Sequence, residues 1–198
     1  MTEPASVDQL ARATQVCAGL VAGVAPAGWT ARTPCSEWTV RDLVVHLILG
    51  KHLFADALVP DAPPTAADTA RYLENPDADV PAAFDIAGQL LLQAFSAPEA
   101  MSRMITVPFG TISGAVALHL RIVEMLVHGW DLAAATGAQV DFPDDLAEQE
   151  IVFSAQNLSR VPPGRRRFAD PQAAADGAPA VDRLAALLGR EVPFDPGR

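Results

Sequence analysis

The chain has 198 residues, half of them apolar, and a formal net charge of -10. That length and apolar share suit one domain with a core that needs no disulfide support, and the acidic balance opposes non-specific binding to nucleic acid, which requires clustered Lys and Arg. Apolar runs such as Leu43 to Leu49 are interrupted well short of a bilayer's thickness, and the start of the chain lacks a basic segment followed by an apolar run, so neither a membrane span nor a signal peptide is expected.

In chain order, the first helix is expected over Val7 to Ala22, where Val7, Leu10, Thr14, Cys17 and Val21 form one buried stripe. Ser6 and Gln9 have the spacing of a capping box, and Gly23, Pro26 and Gly28 end the helix. A second helix is expected over Val40 to Leu58. Thr39 and Asp42 can cap it reciprocally, and Trp38 and Leu43 hold the positions of a hydrophobic staple. Its stripe runs through Leu43, Leu47, Gly50, Phe54 and Leu58, so that His46 borders the core.

Residues 59–80, rich in Pro, Ala and Asp, read as a long irregular connection that can hold a helical turn, of the kind that can lie over a site. A third long helix is expected from Pro81 to Phe95, then an extended segment or small turn over Met104 to Ile112. Ser113 is a cap for a long, almost wholly apolar helix from Gly114 to Thr136, stopped by Gly137. Pro143 to Leu158 and Val181 to Leu188 complete the helices. The pattern defines an all-α chain: a four-helix bundle over about residues 5–160 with a short helical appendage over about 161–198. The basic run Arg165 to Arg167 reads as a solvated loop or, less simply, an anion site.

Glu124 and His128 stand four residues apart on the long helix, so they differ by about 40° around the axis and one turn along it. Such a pair is either a surface contact or two ligands of one ion. The apolar neighbours Val123, Met125, Leu126, Val127 and Trp130 favour the second reading, because a buried carboxylate without a partner is costly. With His46 as a third donor the set matches the two-imidazole, one-carboxylate pattern of catalytic zinc, although the same nitrogen and oxygen donors accept nickel or iron. Asp131, three residues past His128, can accept that ring's other N–H. His52 and His119 point away from these faces and read as surface or partly buried histidines. Cys17 and Cys35 have no acid–base partner nearby in sequence; they read as structural thiols in a reducing cytoplasm, with a single bridge between them as the alternative. Arg41 can pair with a substrate carboxylate or simply lie on its helix surface.

Three motifs carry a family resemblance: Thr33-Pro34-Cys35-Ser36-Glu37-Trp38-Thr39-Val40-Arg41-Asp42-Leu43 followed by His46; Pro108-Phe109-Gly110-Thr111 followed by Glu124, His128, Gly129, Trp130, Asp131 and Leu132; and Asp182-Arg183-Leu184 with Leu188-Gly189-Arg190. Together they resemble the DinB-like metal-binding superfamily, in its branch of mycothiol-dependent maleylpyruvate isomerases and related metal-binding proteins. The resemblance implies a DinB-type helical bundle in which His46, Glu124 and His128 ligate the metal and Asp131 supports them. It also implies a small thiol of the mycothiol type, acting by isomerisation or S-transfer on a small electrophile. The other function it leaves open is a non-catalytic or stress-response protein whose ion staples the bundle. Family isomerases carry a separate C-terminal domain, and the segment after Pro162 is too short to be one. A bundle of this kind can dimerise.

Overall fold

Both capping boxes read from the sequence are made: Ser6 and Gln9 exchange side-chain and backbone hydrogen bonds at the start of α1 (Val7–Ala22), and Thr39 and Asp42 do so at the start of α2 (Val40–Leu58). The structure, a computed structural model, describes residues 3–59, 63–160 and 168–195, with Arg160 described by its backbone alone. The run Arg165 to Arg167 lies outside the described residues.

α4 (Val80–Phe95) begins one residue before Pro81, capped by Asp79, whose carboxylate accepts from the Ala82 N–H. α5 (Gly114–Thr136) is capped by the Ser113 hydroxyl and ends at Gly137, whose φ of 70° is the left-handed turn that glycine adopts without a side-chain clash. These four helices pack in a ring, α1 against α4 and α5, and α2 against α4 and α5. Their apolar stripes close one core through Leu10, Leu43, Leu47, Phe84, Leu91, Ile122 and Leu126, all fully buried. α5 is covered on almost every side because α6 (Asp144–Arg160) and α7 (Ala180–Leu187) lie on the face that the ring leaves open. This is the DinB-like helical fold with its C-terminal appendage.

The remaining elements refine the sequence reading. A 3-10 turn over Pro26–Thr30 follows α1, where only a break was expected. The Met104 to Ile112 segment is a hairpin: β1 (Met104–Val107) pairs antiparallel with β2 (Gly110–Ser113), Val107 opposite Gly110, with Pro108 and Phe109 at the tip. The connection over 59–80 holds more than a turn, since α3 (Ala66–Leu73) packs on α2. Arg41 fastens the end of α3, its Nη2 donating to the Leu73 and Asn75 carbonyls at 3.1 Å each; its guanidinium is thus committed to structure. Among the described residues no helix is long and apolar enough to cross a membrane.

Two histidines expected at the surface or partly buried are more deeply buried than that. His52 is buried because Thr65 and Thr69, carried by the α3 segment, cover both ring nitrogens at 2.6 and 3.3 Å. His119 is buried between α5 and α6, stacked on Phe153 with 4.4 Å between centroids and hydrogen-bonded to Glu150 at 2.9 Å. Angles on one helix place a side chain relative to that helix alone, and both rings are buried by elements added later in the chain.

Candidate metal centre

The site forms where α2 and α5 face one another. His46 projects from α2, about two turns inside the Thr39 cap, and Glu124 and His128 from consecutive turns of α5. His46 Nε2 lies 3.0 Å from Glu124 Oε2, and His128 Nε2 lies 3.4 Å from the same oxygen. One donor atom from each of the three residues falls within 4.8 Å of the others. The two rings meet edge to face, 5.2 Å between centroids.

The burial is uneven. Glu124 and His128 are 6% and 4% exposed, whereas the His46 side chain keeps 31%. Burial alone would raise the Glu124 carboxyl; the Arg121 guanidinium, 3.7 Å from Oε1, and the hydrogen bonds with His128 and His46 outweigh it and hold the group well below the usual carboxylate range. His128 goes the other way: burial disfavours its charged form, but hydrogen bonds to Asp131, Cys35 and Glu124 hold it well above the ordinary imidazole value.

Asp131 stands where the helical spacing put it. It is fully buried, and its Oδ2 accepts from His128 Nδ1 at 2.9 Å, which turns Nε2 toward Glu124. The arginine that completes this arrangement was not singled out from the sequence. Arg190, just past α7, grips both Asp131 oxygens, Nη2 to Oδ2 at 2.8 Å and Nε to Oδ1 at 3.1 Å, and its third nitrogen donates to the Leu188 carbonyl. It is the planar two-bond pairing of guanidinium with carboxylate. The only sequence signal was the family resemblance of Leu188-Gly189-Arg190; no local pattern ties residue 190 to residue 131.

Cys35 also departs from its reading as an inert structural thiol. Its Sγ lies 3.4 Å from Asp131 Oδ2 and 3.1 Å from Arg190 Nη2, at the wall of the site, because the Thr33 hydroxyl donates to the Trp38 carbonyl and accepts from the Cys35 N–H, and so folds the segment before α2 inward. Both cysteines are free thiols, and Cys17 is buried in the core, where burial pushes its thiol up to about 12. Cys35, His128 and Asp131 form a second close set of donors, but the Arg190 cation already occupies both Asp131 oxygens, which makes that set the poorer host for a metal ion. The first set matches the nitrogen and oxygen preference of zinc, and its neighbouring cation, Arg121, lies 3.7 Å from Glu124 Oε1, whereas both imidazoles face Oε2.

A cavity of about 430 Å³ opens onto the three residues, lined on one side by Cys35, Glu37 and Trp38 and on the other by Phe168, Gly189 and Arg190. Trp38 covers the His46 ring at 4.5 Å between centroids. No described residue of the 59–80 connection, a segment of the kind that can lie over a site, lines this cavity; the appendage does.

A helical ring that gathers two imidazoles and a carboxylate between two of its members is the arrangement that the sequence motifs imply for the DinB-like fold. Within it, the chain belongs to the family of the mycothiol maleylpyruvate isomerase N-terminal domain, whose model matches residues 10–133. Two uncharacterised proteins of Mycobacterium tuberculosis, one from strain CDC 1551 / Oshkosh and one from strain H37Rv, are each 35% identical over 184 residues, covering 91% of this chain and 95% of theirs. The fold superposes on two crystal structures of a mycothiol-dependent maleylpyruvate isomerase, one of them a histidine-to-alanine mutant. Their TM-scores are 0.60 and 0.57 at 15% and 17% identity, each over 76% of this chain and 67% of that chain. Arg190 and Phe168 lie outside the segment that the family model matches.

Proposed function

We propose that His46, Glu124 and His128 hold one divalent metal ion, zinc by donor chemistry with nickel or iron as alternatives, and that the chain is an enzyme using a small thiol of the mycothiol type for isomerisation or S-transfer on a small electrophile. The observation that carries this reading is the convergence of the three donors within 4.8 Å, with His128 already oriented by Asp131. When bound, the metal supplies a positive charge that lowers the pKa of a coordinating thiol and so favours the nucleophilic form at neutral pH. Asp131 keeps the His128 proton on Nδ1, and Arg190 neutralises the Asp131 charge that would otherwise be buried. Trp38 screens one face of His46 from water.

The cavity beside the centre is of the size that small-molecule sites have, from about 300 to 1,000 Å³, and supports a ligand-accessible centre over an ion that only staples helices. In isomerisation the thiol adds to a conjugated carbon–carbon double bond, the resulting single bond rotates, and the thiol is eliminated with its proton; transfer stops at the adduct. The test is metal analysis of the full chain purified without nickel resin, together with thermal shifts on adding mycothiol, glutathione or cysteine. About one equivalent of metal is expected, lost in His46→Ala and Glu124→Gln, with a mycothiol shift that requires the metal. A metal-free protein with no thiol response overturns the proposal.

A further inference from the structure

A second cavity, of about 260 Å³, shares a single lining residue with the first, and that residue is His46. Its chemistry is different. Leu49, Leu53 and Phe54 of α2 and Pro108 and Phe109 of the hairpin tip make apolar walls, and the remaining side chain is Arg121. The Arg121 guanidinium is buried, lies 4.0 Å above the Phe54 ring and meets Glu124 at 3.7 Å.

The helix is cut to admit that cation. Gly50, one turn past His46, leaves the space it fills: a Cβ there would come within 2.7 Å of Arg121 Nη1. Glycine inside a helix is unfavourable, and so is a cation taken out of water, so two costs are met at one cavity. A planar guanidinium among apolar walls matches a carboxylate on a flat hydrocarbon body. A single cation, with Glu124 beside it, selects a monoanion over a dicarboxylate.

We infer that this cavity is the subsite of the electrophile, and that it takes a small, flat, unsaturated monocarboxylate, its carboxylate at Arg121 and its carbon chain along Leu49, Leu53 and Phe109 beside His46. The inference rests on the proposed thiol chemistry and divides that site into two compartments: the thiol enters from the cavity walled by Cys35 and Arg190, the electrophile from the hairpin side. Gly50 and Arg121 are thereby specificity-determining residues.

The test uses the full chain, as purified and after zinc addition, with sorbate as the probe in ligand-observed NMR titrations. Hexa-2,4-dien-1-ol, which lacks the charge, and fumarate, which has two, are the comparisons. Saturable sorbate binding is expected, at least tenfold tighter than either comparison, and at least tenfold weaker in Leu53→Trp, which fills the cavity, and in Gly50→Ala, which displaces Arg121. Should Gly50→Ala fail to fold, Leu53→Trp and the two comparison ligands still decide. Equal binding of the alcohol or of fumarate, unchanged binding in Leu53→Trp, or sorbate binding that needs zinc but ignores Leu53→Trp overturns the inference. Leu53-sensitive sorbate binding in a protein without any thiol response would uphold this cavity's assignment while overturning the thiol chemistry.

Discussion

Asp131→Asn is the sharpest perturbation, because it changes one atom in a fully buried side chain that three donors approach: Arg190 Nη2 at 2.8 Å, Arg190 Nε at 3.1 Å and His128 Nδ1 at 2.9 Å. The amide keeps one acceptor oxygen and turns an NH₂ toward a donor, either arginine or histidine. Arg190, only 7% exposed, then loses its counter-charge. Breaking a buried pair in this way costs about 3–5 kcal/mol, read as a lower urea midpoint of the metal-free protein. Loss of the group that orients a ligating histidine costs about 10- to 100-fold in metal affinity, read by zinc competition with a chromophoric chelator. Arg190→Met and the double variant close a thermodynamic cycle, in which the double should recover more than about 1 kcal/mol over the sum of the singles. A single-variant loss below about 1 kcal/mol, a coupling near zero and an unchanged zinc affinity would together refute the reasoning.

Trp38 lies tilted against the His46 ring, 4.5 Å between centroids, so zinc addition should change tryptophan emission in the wild-type chain and not in Trp38→Phe, even though Trp29 and Trp130 remain. Lys51 is fully buried over the Phe84 ring, and burial, only partly offset by Cys17 and Asp85, pulls its pKa from 10.5 to about 7. Between those values the unfolded chain binds the extra proton, so stability rises with pH from about 7 upward. Cys17, raised from 9.0 to about 12, acts in the opposite sense above pH 9. Urea midpoints between pH 7 and 9 should therefore climb in the wild type, and the climb should be absent in Lys51→Met; a flat wild-type profile would count against it. Arg41→Ala removes two hydrogen bonds to the end of α3 and should cost about 1–2 kcal/mol, with faster amide exchange confined to α3 and unchanged zinc affinity.

What could be read from the sequence was what local chemistry encodes. α1, α2 and α5 run between the residues expected because Ser6, Thr39, Ser113 and Gly137 act through neighbours three or four positions away. Asp131 followed from the same short arithmetic on α5. Arg190, Cys35 and the burial of His52 and His119 did not, since each depends on a partner supplied by another element: Asp131 across 59 positions for Arg190, Glu150 across 31 for His119. The α3 helix was read as loop because its flanking prolines and aspartates dominate the composition, while the Asp56 carboxylate, which accepts the Thr65 and Ala66 N–H groups from a neighbouring helix, is invisible in the local window.

The grip of Arg190 on Asp131 ties the completion of the centre to the timing of synthesis. All three candidate ligands and the aspartate behind them leave the ribosome well before residue 190, and until that arginine emerges Asp131 has His128 as its partner but lacks the guanidinium that grips both its oxygens. A nascent chain can collapse its first helices early, yet the cavity gains its Phe168, Gly189 and Arg190 wall only after the last segment has docked, so premature termination near residue 180 yields a bundle whose candidate centre lacks Gly189 and Arg190.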